Sequence, residues 1–415
     1  MKYLYNLLIQ LFEWSLPLLG LFFSRLKVFY QDRKSTKTEF EQYLLVNKKP
    51  IIWIHVASLG EYEQVVPVVK ELKKHFDKHA FLFSFFSDSG YRVKKNKSIG
   101  DFETYLPLDT SKNAKSFITK VNPVFAIFVK YDIWPNYLRH LKSRNISSFL
   151  VASRFRPNQI YFKFYGGFFR KALRSFQYIF VQDQSSGHLL DSIGIKNRKV
   201  SGDTRYDRVS LQLEQDNKLF FMDNFIQNDF CMVCGSTWPE GEKLLLDIIN
   251  DKNLKQKYVI APHQIHPKHI EDITKSLEIP YIKYSEIYNQ DLSQYQVLIL
   301  DTVGLLTKVY AYADLAYVGG GFGQAGLHNI LEPAAFGVPI IIGPNHKKFP
   351  EAQALKDQGG LFCVKTSAEM KKRIKSLLQD ELLREKMSMA SGNFISSQKG
   401  ATSITIKGIL ENLDL

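Results

Sequence analysis

The sequence predicts an α/β protein made of two doubly wound domains, each a parallel sheet with helices on both faces. Three observations carry that expectation. Short apolar runs recur along the chain with helical spacing between them. They fall into two series, separated by a polar and acidic stretch between Asp207 and Asp229. And 415 residues, 45% apolar and 23% charged, suffice for two cores and argue against wholesale disorder.

In the first series, IIWIHVA (51–57) reads as a strand, and Ser58-Leu-Gly-Glu61 turns it into a helix carrying Val65, Val66, Val68, Val69 and Leu72. FLFSFFS (81–87), VFAIFV (124–129), SSFLVAS (147–153) and YIFVQD (178–183) follow as strands. The second series has FCMVCG (230–235), KYVIAPH (257–263), VLILD (297–301), LAYVGG (315–320) and VPIIIG (338–343). Strand–helix alternation implies right-handed crossovers, with ligands bound beyond the carboxyl ends of the strands. The expected organisation is an N-terminal anchor over 1–34, a first domain over 35–215, a second over 216–395 and a C-terminal helix over 396–415 that packs back on the first domain.

Residues 3–23 are mostly apolar and about one bilayer long, although Asn6, Gln10, Glu13 and Pro17 interrupt them. Arg25, Lys27, Arg33, Lys34 and Lys37 follow in a basic linker, which places the remainder on the cytoplasmic side. The segment reads as a membrane anchor, spanning or lying in the interface; the plainer alternative is a core helix of the first domain.

The chain carries 55 Lys and Arg against 41 Asp and Glu, a formal net charge of +14, and is rich in aromatics, with 31 Phe and 21 Tyr. Such a balance suits anionic lipid, phosphorylated substrates or nucleic acid. Residues 154–174 interleave basic and aromatic side chains. They read as a surface for anionic lipid, or else as a solvated amphipathic helix, and no RNA-binding motif supports a nucleic-acid partner. Three cysteines are too few for a disulfide framework. Cys231 and Cys234 share a C-x-x-C spacing, but they sit in a strand-like run and read as small buried hydrophobes.

The candidate chemistry gathers at strand ends. Gly319-Gly-Gly-Phe-Gly-Gln-Ala-Gly-Leu-His-Asn-Ile-Leu-Glu332 leaves a strand through a glycine-rich loop that contains Gly326 and enters a helix near Asn329. His328, Asn329 and Glu332 at the helix mouth suit a nucleotide, with Glu332 placed to accept from ribose hydroxyls. The loop is neither a dinucleotide fingerprint nor a Walker loop. Gly235-Ser-Thr-Trp-Pro-Glu-Gly-Glu242 supplies Ser236 and Thr237 as phosphate contacts, or as a helix cap with Glu240 completing a capping box. His263, His266, Lys268 and His269 occupy a stretch that Pro262 and Pro267 make an irregular loop, better suited to a phosphate than to zinc. Glu61, where a strand becomes a helix, suits a general base for a sugar hydroxyl, or a helix-start acid held by the macrodipole. Lys130 and Asp132, before Trp134-Pro135, are acceptor-side candidates, with a helix cap as the other role for Asp132.

Taken together, WIHVASLGE (53–61), DIWPN (132–136), SGDTRYD (201–207), GSTWPEGE (235–242), DTVGLL (301–306) and GGGFGQAGLHNILEPAAFGVPIIIGPNHKKFPEA (319–352) resemble the 3-deoxy-D-manno-octulosonate (Kdo) transferases of lipid A biosynthesis. The motifs appear in family order over most of the chain. The resemblance implies a GT-B fold, two Rossmann-like domains facing a cleft, and an N-terminal membrane helix. It implies inverting transfer of Kdo from CMP-Kdo to the tetraacyl lipid A precursor, lipid IVA, at the cytoplasmic face of the inner membrane, with no cofactor and no nucleotide-bound metal. Glu61 would be the base; His328, Asn329 and Glu332 would hold CMP; Ser236 and Thr237 would lie near the phosphate, and the Asp301–Gly304 turn near cytosine. Two departures stand out. Lys130-Tyr131-Asp132 replaces a more acidic segment, and Pro262-His263-Gln264 replaces Pro-Arg-His. The phosphate contact then passes to His263 or Lys268 or is lost, and reliance on a protonated His263 would make activity fall more steeply above about pH 7. The alternatives are a related GT-B enzyme acting on a UDP-sugar, as transferase or epimerase, and an inactive membrane scaffold of the same fold.

Overall fold

The computed structural model describes residues 1–413 and separates into two units, Met1–Arg208 with the C-terminal segment from Gly400, and Val209–Lys399. The N-terminal helix α1 (Lys2–Phe22) is followed by a second helix, α2 (Ser24–Val46). The first unit then holds β1 (Ile51–Val56), β2 (Ala80–Phe85), β3 (Phe102–Tyr105), β4 (Phe125–Val129), β5 (Ser147–Ser153), β6 (Tyr178–Val181) and β7 (Arg198–Val200). They form one sheet in the order β3-β2-β1-β4-β5-β6-β7, every pairing parallel.

The second unit repeats the plan. Its strands are β8 (Cys231–Thr237), β9 (Lys257–Pro262), β10 (Tyr281–Lys283), β11 (Val297–Ile299), β12 (Leu315–Val318), β13 (Ile340–Ile342) and β14 (Leu361–Cys363). The order is β10-β11-β9-β8-β12-β13-β14, again all parallel. Two such sheets define the GT-B architecture.

A parallel sheet covered on both faces needs strands that are apolar throughout. Residues of β1, β2 and β4 are buried without exception. The phenylalanine excess is spent here: Phe81, Phe83, Phe85, Phe125, Phe128 and Phe149 are among the largest fully buried side chains. Each such burial contributes about 1.5–3 kcal/mol. Cys231 and Cys234 are buried in β8, and burial raises both thiols well above their ordinary value, so they pack as hydrophobes.

Two expectations need correction. The stretch read as a basic linker is the 23-residue helix α2. Its Phe40 stacks on Phe117 at 5.3 Å and its Tyr43 on Phe102 at 4.4 Å, so a few aromatics tie an otherwise charged helix to the unit. The strand list also lacked β3, β7, β10 and β14. These are the outer strands of the two sheets, three or four residues each. The C-terminal helix Ala401–Glu411 belongs to the first unit and buries Ile406 and Ile409 in that unit's core. Asp207 accepts from the amides of Gly400 at 2.7 Å and Thr402 at 2.6 Å, fixing where that helix starts.

Candidate active site

In the first unit, the helix α3 (Leu59–His75) starts just beyond the carboxyl end of β1, which places Glu61 in its first turn. Glu61 is buried and accepts from the Ala57 amide. Burial, then the charge of Asp132, raises it above the usual carboxylate range; the Ala57 bond, Lys130 and His55 oppose the rise. Lys130 follows β4 in a left-handed conformation (φ 60°), a strained state for a side chain of its kind and one that concentrates at functional sites. Burial lowers its pKa, Arg205 lowers it further, and Glu61, Asp203 and Asp132 pull the other way. Glu61, Lys130 and Asp132 thus form one electrostatic group.

Asp132 does not cap the helix Pro135–Ser143, contrary to its second reading; Trp134 occupies the cap position. That helix start is served by Asp109, which accepts from the amides of Asn136 at 3.1 Å and Tyr137 at 3.0 Å. Asp132 instead meets His55, which points inward from β1 and is fully buried. Its Oδ2 lies 3.0 Å from His55 Nε2, while Trp134 Nε1 donates to the same nitrogen at 2.9 Å. One imidazole nitrogen serves a single hydrogen bond, so the two neighbours compete for it. Ser84 holds the other face of the ring, its Oγ 2.8 Å from His55 Nδ1. Sequence reasoning passed over His55, Trp134, Asp203, Arg205 and Asp109. A histidine inside a wholly apolar strand was the available signal for His55.

In the second unit the glycine-rich loop closes back on the carboxyl end of β8. A side chain at Gly319 would place its Cβ 2.0 Å from the Ser236 carbonyl oxygen, so only glycine permits the approach. Gly326 has φ 87°, the left-handed conformation that favours glycine. The helix behind the loop is shorter than the pattern suggested, five residues from Leu331 to Ala335. Glu332 accepts from Thr307 Oγ1 at 3.1 Å and from Asn329 Nδ2 at 3.0 Å, and Asn329 Oδ1 accepts from the Leu331 amide at 3.1 Å. Asn329 and Glu332 are therefore pre-set by each other.

His328 accepts from Trp238 Nε1 at 2.7 Å. His263 lies between these rings, 4.9 Å from Trp238 and 4.3 Å from His328 between centroids. Burial, followed by the charge of His263, pushes His328 down to about 4, and burial lowers His263 as well. At about 4, His328 is neutral near pH 7, and desolvation opposes charge on His263. Lys268, exposed in the first turn of the helix Pro267–Lys275, is the cation of that loop.

The helix-cap reading of Ser236 and Thr237 also fails, because β8 runs through Thr237 and Trp238 is the cap residue of Pro239–Ile249. Ser236 is left-handed (φ 50°) and half-buried. Thr237 is buried and donates to Glu242 Oε1 at 2.6 Å; Glu242 Oε2 lies 2.8 Å from His269 Nε2. Asp301 accepts from the amide of Ser285 at 2.9 Å and from its hydroxyl at 2.5 Å, and Gly304 (φ 95°) has open space around it. No cluster of three or more His, Cys, Asp or Glu side chains placed to hold a metal occurs among the described residues.

Similar proteins give these two sites a context. A UDP-GlcNAc 2-epimerase from Neisseria meningitidis superposes with a TM-score of 0.62 at 16% identity, covering 87% of this chain and 100% of its own. MurG of Acinetobacter baumannii superposes with a TM-score of 0.54 at 11% identity, covering 88% and 99%. Both likenesses show a shared GT-B fold. Residues 28–208 match the family model described as 3-Deoxy-D-manno-octulosonic-acid transferase (kdotransferase). The 3-deoxy-D-manno-octulosonic acid transferase of Haemophilus influenzae is 27% identical over 366 residues, 84% of each chain. That of Rickettsia bellii is 27% identical over 344 residues, 81% of each chain. On these matches the chain is similar to the Kdo transferases, a family of glycosyltransferases.

Proposed function

We propose that the enzyme transfers Kdo from CMP-Kdo to lipid IVA, the tetraacyl lipid A precursor, at the cytoplasmic face of the inner membrane. The observation that carries the chemistry is Glu61, a buried carboxylate beyond a strand end whose surroundings raise its pKa. A base works best when its pKa approaches the operating pH, and desolvation moves a carboxylate in that direction.

Glu61 takes the proton of the acceptor hydroxyl as its oxygen bonds to the anomeric carbon of Kdo. The bond from that carbon to the CMP phosphate oxygen breaks, and its electron pair leaves with CMP, so the configuration inverts. Lys130 keeps part of the Glu61 population ionised, and the charge of Asp132 raises its basicity. On the donor side Glu332 and Asn329 take the ribose hydroxyls, and neutral His328 supplies a hydrogen bond to CMP. Lys268, with the Ser236 turn, meets the phosphate, and the Asp301–Gly304 turn lies beside cytosine.

Mass spectrometry of lipid IVA incubated with the full-length protein and CMP-Kdo tests this reading. Added mass in whole Kdo increments, absent with UDP-sugars, is the expected result. Turnover of a UDP-sugar with none of CMP-Kdo would replace it by the other GT-B reading, and no turnover of either would leave a scaffold.

A further inference from the structure

One helix in this chain is turned inside out. α1 is the one described helix long and apolar enough to cross a membrane, and little of it is buried. A surface helix ordinarily sets its apolar stripe against the core and its polar stripe toward water. Here the polar residues face the protein. Tyr5 donates to Asp109 at 2.7 Å, Asn6 accepts from Asn136 at 2.7 Å and Glu13 accepts from Asn113 at 2.5 Å. Leu16 and Gly20 continue the same face and are buried, with Gly20 against Lys27 of α2. Leu4, Leu7, Leu11, Trp14, Leu18 and Leu21 occupy the opposite face at helical spacing and are exposed, Trp14 by 68% and Leu21 by 77%.

The attachments run from residue 5 to residue 20, about 22 Å of helix axis at 1.5 Å per residue. A helix held to a folded unit over that length has too little free span for a hydrocarbon core of about 30 Å. Its outward stripe still needs an apolar medium. The chemistry beside it indicates which one: Trp14 shares a groove of 560 Å³ with Lys34, Lys37 and Lys112, and Arg25 and Lys27 follow the helix. At the other end, Phe168 and Phe169 pack on Tyr5 at 5.3 and 6.0 Å, in the segment whose Phe164 is 94% exposed.

We propose that α1 lies flat in one leaflet of an anionic lipid membrane, its leucine face among acyl chains and its polar face on the protein, and does not cross the bilayer. Apolar burial and basic attraction to anionic headgroups act together in such an anchor. The assignment rests on the membrane reading of this enzyme and is independent of its donor.

The test uses the full-length protein with Cys363→Ser, since Cys231 and Cys234 are buried. Lys2→Cys reports the start of α1, and Lys78→Cys, exposed on the first unit, reports the enzyme body. A membrane-impermeant maleimide is applied to inverted inner-membrane vesicles and to intact spheroplasts. A flat helix gives labelling of both positions in inverted vesicles and of neither in spheroplasts. Labelling of Lys2→Cys in spheroplasts alone would overturn the proposal in favour of a spanning anchor. Recovery of the protein in the soluble fraction, as monomer or as a larger assembly, would overturn the membrane reading beneath it. Leu11→Asp with Leu18→Asp provides a second readout: the bound fraction should fall roughly tenfold or more with unchanged circular dichroism. Undiminished binding by that variant would also overturn it.

Discussion

Asp109→Asn keeps the size of a buried side chain and removes its titration. In the native protein this carboxylate accepts from Tyr5, Asn136 and Tyr137, joining α1 to the helix Pro135–Ser143. Those donors favour the ionised form, yet burial outweighs them and raises the group from 3.8 to about 7. The native state then holds the proton more tightly than the unfolded chain does. Stability from this group is present at low pH and is lost as pH climbs from the unfolded value through the folded one. Between about pH 5 and pH 8 the loss comes to about 2.6 kcal/mol, at 1.36 kcal/mol per pKa unit. Urea denaturation of the two proteins, side by side across that range, isolates the effect, because other titrating groups cancel in the difference. The native protein's margin over Asp109→Asn should shrink by about that amount as pH rises. A constant margin, or one that grows with pH, would refute the reasoning and mean that the three donors hold Asp109 ionised throughout.

Other expectations follow from the sites of the two units. Lys130→Met removes a charge that lowers the Glu61 pKa, so the acid limb of the kcat/KM pH profile should move to higher pH; Asp132→Asn should move it lower. Glu332→Ala should weaken CMP binding roughly tenfold to a hundredfold by calorimetry, the range of a lost charged hydrogen bond. Thr237→Val leaves the buried Glu242 Oε1 without its donor. It should cost about 1–3 kcal/mol of stability with donor KM unchanged, whereas a direct phosphate contact would raise that KM.

Hydrophobic pattern made the interior of both sheets legible, because β1, β2, β4, β8 and β9 are apolar on both faces. It was silent about β3, β7, β10 and β14, where one edge meets solvent and three or four residues leave no period to detect. Glu61, Asn329 and Glu332 could be picked out because glycine turns and helix starts mark strand ends locally. His55 and Asp109 could not, because each acquires its partners from segments 27 or more residues away. The orientation of α1 was hidden for a related reason. Its sequence shows two stripes, and only the tertiary bonds of Tyr5, Asn6 and Glu13 reveal which one faces the protein.

The role of Glu61 is tested most directly by single-turnover transfer from CMP-Kdo to lipid IVA with Glu61→Gln, alongside calorimetric binding of CMP. The account predicts a fall of roughly 10²–10⁴-fold in the transfer rate, the range of a lost general base, with CMP affinity and circular dichroism unchanged. Transfer by that variant at the native rate would contradict it.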